Sequence, residues 1–119
     1  MLQIRSLSSK EEQEIKNLLS MDLKTLYREF GQEVGTLAPG EDAESQAKKW
    51  INARKRELYN LICVQGDYCA FIVNHRNAKI VEIVAAVGDL LATVHGLLPV
   101  NTLSVLLVKT SLDEMCLCN

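Results

Sequence analysis

Little in this chain points to catalysis. Its six glycines, Gly31, Gly35, Gly40, Gly66, Gly88 and Gly96, stand singly, so there is no glycine-rich loop to cradle a phosphate. Neither His75 nor His95 has a serine or cysteine nucleophile in a recognisable sequence context beside it. Aromatic residues amount to Phe30, Phe71, Tyr27, Tyr59, Tyr68 and Trp50, so the core has to be aliphatic. Two prolines and few glycines, between stretches rich in Leu, Ala, Glu and Lys, favour helices over a sandwich or barrel. A net charge of −2 lacks the footprint of a typical nucleic-acid-binding domain. The first residues, MLQIRSLSSKEEQEIKN, hold no apolar run followed by small residues, so no secretory signal is expected and the cytoplasm is the default location.

What the chain does have is one long uncharged stretch. From Leu90 to Val108, LLATVHGLLPVNTLSVLLV, no side chain carries a formal charge, and Gly96 and Pro99 break the stretch in the middle. Residues 1–79 hold twelve of the thirteen Lys and Arg against eleven acids, while residues 80–119 carry only Lys109 against Glu82, Asp89, Asp113 and Glu114. The first part therefore reads as a charged outer layer and the last as the buried one. At 119 residues with 48% apolar side chains, the expectation is one compact all-α domain, residues 1–119, of five to six helices.

Ser9-Lys10-Glu11-Glu12 fits a capping box opening a first helix with Ile15, Leu18 and Leu19 on one face. Asp22 fits the cap of a second, where Leu23, Leu26, Tyr27, Phe30 and Val34 keep the helical rhythm. Residues 35–43 read as a loop turning at Pro39-Gly40. A third helix is expected over 43–62, its apolar arc formed by Ala47, Trp50, Ile51, Leu58, Leu61 and Ile62, with Arg54 inside that arc. Residues 64–68 read as a turn and 69–75 as a short apolar helix or strand. A fourth long helix over 78–95 and a last one over 101–116, capped by Asn101 or Thr102, then form a central hairpin. Ile80, Ile83, Val84, Val87, Leu90, Leu91 and Val94 make the main apolar face of its first arm. Ala85, Gly88 and Ala92 give that arm a flank of small side chains. The second arm, apolar nearly all round from Leu103 to Val108, belongs mid-bundle.

Polar residues near these apolar faces carry specific expectations. A guanidinium at Arg54 must reach water or find a carboxylate, and Asp89 or Glu82 is the natural partner for a structural ion pair. Lys109 suits the C-terminal end of the last helix, as does His95 the end of the fourth. His75 reads as an exposed loop residue. Cys63 and Cys69 are separated by five residues and Cys116 and Cys118 by one, neither the tight spacing of structural zinc ligands. Without a signal sequence, all four read as reduced thiols that pack as small hydrophobes. No catalytic residue, metal site or cofactor is expected.

Three functions remain. Lys48, Lys49, Lys55 and Arg56 make a basic helix side that suits an anionic protein, lipid or nucleic-acid surface, but Glu41, Asp42, Glu44 and Glu57 flank it and nucleic acid is not favoured. The apolar hairpin over 80–108 suits a membrane-perturbing effector, although each arm is short for the ~20 apolar residues of a span and Glu82 and Asp89 are costly in lipid. The favoured reading is a non-catalytic protein-interaction or regulatory module. The series Arg28-Glu29-Phe30-Gly31, Trp50 with its basic stretch to Leu61-Ile62-Cys63, Ala85 to Ala92, Pro99, Leu106 to Lys109, Leu112 and Cys116 resembles small uncharacterised bacterial helical proteins, especially cyanobacterial ones. That resemblance implies an adaptor-like role in a signalling or defence system, with a protein partner. Self-association as a homodimer through the last helix and the Ala85, Gly88, Ala92 flank also fits.

Overall fold

The uncharged stretch enters the core at its two ends, Leu90 with Leu91 and residues 103–107, while Ala92, Thr93, Val94 and Gly96 between them are exposed. A computed structural model describes residues 2–34, 42–96, 98–110 and 112–118, and every regular element among them is helical. In chain order these are α1 (Ser9–Ser20), α2 (Leu23–Val34), α3 (Ala43–Ala53), α4 (Lys55–Tyr59), a π-helical segment (Asn60–Gln65), α5 (Tyr68–Asn74), α6 (Ile80–His95), α7 (Val100–Lys109) and α8 (Leu112–Met115). The turn expected at Pro39-Gly40 lies outside the described residues.

The count exceeds five or six because two expected helices are each divided. In the 43–62 helix, Arg54 is the break. Its backbone N–H bonds the Ile51 carbonyl, three residues back, while its guanidinium donates to the Trp50 carbonyl at 3.4 Å. Leu58 N–H then picks up the Arg54 carbonyl at 2.9 Å, and helix resumes as α4. The end widens into the π-helical segment, where Gly66 N–H reaches back five residues to Leu61. Asp67, in the left-handed region, turns the chain into α5, so the apolar run from Cys69 is helix. In the last arm, Thr110 ends α7 with its hydroxyl on the Leu106 carbonyl, leaving α8 as a single turn.

The caps of α1 and α2 lie within a residue of their expected positions. Ser8, one place before the expected Ser9, accepts from Glu11 N–H at 3.1 Å, and the Glu11 carboxylate accepts in return from Ser8 N–H. Asp22 caps α2 through Thr25 N–H, and Asp42 caps α3 through Ser45 N–H, each at 2.7 Å. For α7 the expectation of Asn101 or Thr102 fails. Pro99 precedes Val100, already helical, and no side chain caps the start.

α7 is enclosed on every side: Leu103, Ser104, Val105, Leu106 and Leu107 are buried in succession. α6 lies against it, with α1 and α2 on other sides. The one buried polar side chain of this run is satisfied, Ser104 Oγ donating to the Val84 carbonyl at 2.7 Å. Gly88 allows the close approach of the two arms, since a methyl there would stand 3.0 Å from Asn101 Oδ1. Lys109, at the end of α7, donates to the carbonyls of Leu19 (3.2 Å) and Met21 (2.6 Å), closing the C-terminus of α1. The faces that suited a second copy are thus used inside the chain; Ala85 and Gly88 are buried, and Ala92 alone of that flank is exposed. Ile80 and Val94, assigned to the apolar face of α6, are also half open to solvent, at 51% and 53%.

α2 and α3 pack face to face, with Phe30 and Ala47 wholly buried. Their closest approach is at Gly31, where a Cβ would overlap the Ala43 carbonyl oxygen and stand 2.6 Å from its carbon. On an open helix Gly→Ala adds about 1 kcal/mol of stability. Here Gly31→Ala is expected instead to lose about 1–3 kcal/mol, the scale of overpacking, in urea denaturation. Leu106→Glu is expected to abolish cooperative thermal unfolding by circular dichroism, because a carboxylate at a site 1% exposed has no partner.

Candidate functional site

The basic run does not form one surface. Lys48 and Lys49 are exposed on α3, Lys55 and Arg56 on α4, and the break at Arg54 sends them different ways. Lys48 and Lys55 border a cleft of about 430 Å³, while Arg56 lines a separate hollow with Glu57, Asn60 and Val94. Lys48 is already engaged, its ammonium 3.1 Å from Glu44 and 5.3 Å from the centre of the Tyr27 ring. Lys55 makes no ion pair among the described residues.

The cleft joins elements distant in sequence. Ile51 and Leu58 come from α3 and α4, Leu107 from α7, and Leu112 and Met115 from α8. Lys48, Lys55, Asn52, Thr110 and Glu114 supply the polar groups around this apolar lining. Such a site, concave and apolar with a few polar groups at its margin, suits binding.

Arg54 does not pair with Asp89 or Glu82. Its guanidinium lies over the Trp50 ring, 4.3 Å from the centre, a cation–π arrangement that keeps the charge half-exposed. Trp50 in turn meets Phe30 edge-on at 5.2 Å and His95 at 5.6 Å, so one indole joins α2, α3 and α6. His95 Nε2 is 2.9 Å from Glu57 Oε1, close enough for an ion pair but out of line for a hydrogen bond. Glu82 accepts from Lys79 N–H at 2.8 Å and so caps α6. Asp89 pairs with Arg5, at 2.7 and 3.2 Å, from the segment before α1. Arg5 also holds Glu11 at 2.7 Å, tying the α1 capping box to the middle of α6. His75 is half-buried rather than looped out, its Nδ1–H donating to the Phe71 carbonyl at 2.9 Å.

The cysteines overturn the expectation of reduced packing residues. Cys63 is bonded to Cys116 and Cys69 to Cys118, with Cα atoms 5.1 and 5.3 Å apart. The π-helical segment and α5 present Cys63 and Cys69 to one side, and the chain after α8 meets them. Leu117, between the two C-terminal cysteines, is left-handed at φ 57° and 78% exposed. That turn brings Cys116 and Cys118 to bear on one surface although they are two residues apart. Loops of 53 and 49 residues are long enough that closing either constrains the unfolded chain by about 4 kcal/mol in the chain-entropy account, the second adding less because the loops overlap. Tyr68, buried in α5, lies beside Asp113 of α8; burial first, then that carboxylate, pushes its phenol above its ordinary range. Among the described residues no three His, Cys, Asp or Glu side chains are gathered to hold a metal ion.

Family models, curated proteins and solved structures all give no match.

The capping carboxylates set the acid behaviour. Arg5, then the Ser8 N–H, hold the Glu11 carboxyl below its ordinary range, and Thr25 and Ser45 do the same for Asp22 and Asp42. A folded pKa below the unfolded one gives stability that is present above the ordinary carboxylate range and lost as pH falls through the lowered value. The melting temperature is therefore expected to drop as pH falls below that range, and Glu11→Gln to flatten part of the drop in a series of thermal melts.

Proposed function

We propose that the protein is a non-catalytic interaction module whose docking site is the cleft between α3–α4 and α7–α8. The observation that carries this reading is the meeting of Lys48 and Lys55 over a lining of Ile51, Leu58, Leu107, Leu112 and Met115. An apolar lining with cations at its margin suits a partner segment that offers apolar side chains flanked by carboxylates. Glu114 is the one acid lining the cleft, so charge complementarity favours an acidic partner over a basic one. The adaptor-like role in a bacterial signalling or defence system rests on the sequence resemblance alone, and the cleft gives that role a physical surface.

The membrane-perturbing alternative gains no support. No helix among the described residues is long and apolar enough to cross a membrane, and α7 is enclosed by its neighbours. A broad basic surface for nucleic acid is also weakened, because Lys48 and Lys55 face the cleft while Arg56 lines a different hollow.

The test is titration of the isotope-labelled chain with a panel of amphipathic peptides, acidic and basic, read by NMR. Acidic members are expected to shift Ile51, Lys55, Leu107 and Met115, with binding weakened about tenfold by Lys48→Glu together with Lys55→Glu, roughly 1.4 kcal/mol. Equal binding of basic peptides, or shifts confined to other faces, would sink the proposal.

A further inference from the structure

The wall of the cleft that α8 provides is held in an unusual way. α8 has four residues, and of these Leu112 alone is deeply buried. Met115 packs only in part against the core, Asp113 lies beside Tyr68, and the two disulfides follow just beyond. Yet α8 contributes Leu112, Glu114 and Met115 to the cleft. Three of the four cysteines, Cys63, Cys69 and Cys118, are half-exposed, and the bond that joins two of them is the more open to attack. Cys69 and Cys118 line a surface hollow with Ile72, Val73, Arg76 and Asp113, and both are half-exposed. Cys116, of the other bond, is buried.

From this arrangement we propose that the two disulfides form a reducible latch on the cleft, opened in sequence by a dithiol. The effect on docking rests on the interaction reading above; the latch itself does not. A thiolate of the dithiol enters the hollow and attacks one sulfur of Cys69–Cys118, forming a mixed disulfide and releasing the other cysteine as a thiolate. The second thiol of the reagent then attacks the mixed disulfide. The reagent leaves as its own disulfide, two electrons have passed to the protein, and Cys69 and Cys118 end as thiols after taking up the two protons. Arg76 in the hollow favours the approaching and departing thiolates, against the opposing charge of Asp113. With the outer bond open, a second equivalent repeats the exchange at Cys63–Cys116. α8 and the turn after it are then held only by the packing of Leu112, Met115 and Cys116 and by Asp113 beside Tyr68, and the cleft loses its wall. Oxidation, in which an oxidising disulfide accepts the electrons, restores it.

Hydrogen–deuterium exchange of the full chain, before and after graded treatment with dithiothreitol, tests the latch without any partner. Alkylation is expected to mark Cys69 and Cys118 before Cys63 and Cys116. With all four thiols free, amides over 112–118 are expected to exchange about tenfold faster while those of Leu103–Leu107 stay protected, as for a local opening. In a Cys69→Ser, Cys118→Ser chain, one dithiol step should give the same release. Reduction of all four cysteines only together with loss of protection over Leu103–Leu107 would overturn the proposal, as would unchanged exchange over 112–118. Should no acidic peptide bind in either state, the docking reading falls and the latch stands on its exchange data. Should a peptide bind both states equally, the cleft stands and its control by the latch falls.

Discussion

Burial of α7 is the constraint on which the rest of the fold depends. Five consecutive residues, Leu103 to Leu107, are buried, so neighbours are needed all round rather than along one stripe. α6 covers one side through the close approach at Gly88, and α1 and α2 cover others. At ~25 cal/mol per Å² of apolar surface, a fully enclosed leucine or valine contributes about 1.5–3 kcal/mol, and a run of them outweighs any exposed ion pair in the molecule. The polar groups are arranged around that demand. Ser104 is satisfied by a backbone carbonyl of α6, and Lys109 is directed to the end of α1, where two carbonyls need a donor.

Helix type and the identity of the core were legible because both are set by local pattern. The 3.6-residue rhythm marks Leu26 and Phe30 in α2 and Val84, Val87 and Leu91 in α6, all of them buried. Asp22 was recognisable as a cap because capping acts within three residues. Breaks inside helices were less legible. At Arg54 the helix yields to a side chain that takes the Trp50 carbonyl and lies over the same residue's ring, a choice that requires knowing what Trp50 packs against.

Partners distant in sequence were the least legible. Asp89 or Glu82 was the expected partner of Arg54 because a cation on an apolar face needs a carboxylate, but the residue that reaches Asp89 is Arg5, from the irregular segment before α1. Nothing periodic marks that segment. The cysteines are the sharper case. Four cysteines at spacings of five residues and one do not match the tight ligand pairs of a structural zinc site, and spacing alone does not fix a disulfide pairing. What pairs them is tertiary: the π-helical segment and α5 set two sulfurs on one side, and the left-handed Leu117 directs two more toward them. The cleft was invisible for the same reason, since its lining comes from α2, α3, α4, α7 and α8.

The molecule therefore divides into parts secured by different means. α6 and α7 are held by area removed from water, which no change of solution redox state alters. The tail from α8 onward buries Leu112 and Cys116 and otherwise relies on bonds between sulfurs. Those bonds persist in an oxidising compartment and are transient in a reducing one, where disulfides usually serve catalysis or sensing. The same covalent links thus act as permanent staples or as a switch according to the surroundings. In the proposed latch the stretch they control is a single helical turn at one wall of the cleft, an element short enough to open locally. Reduction would also lift the constraint the disulfides place on the unfolded chain, so the proposed latch exchanges some global stability for control of the cleft, and the burial of α7 is what must hold the fold in the reduced state.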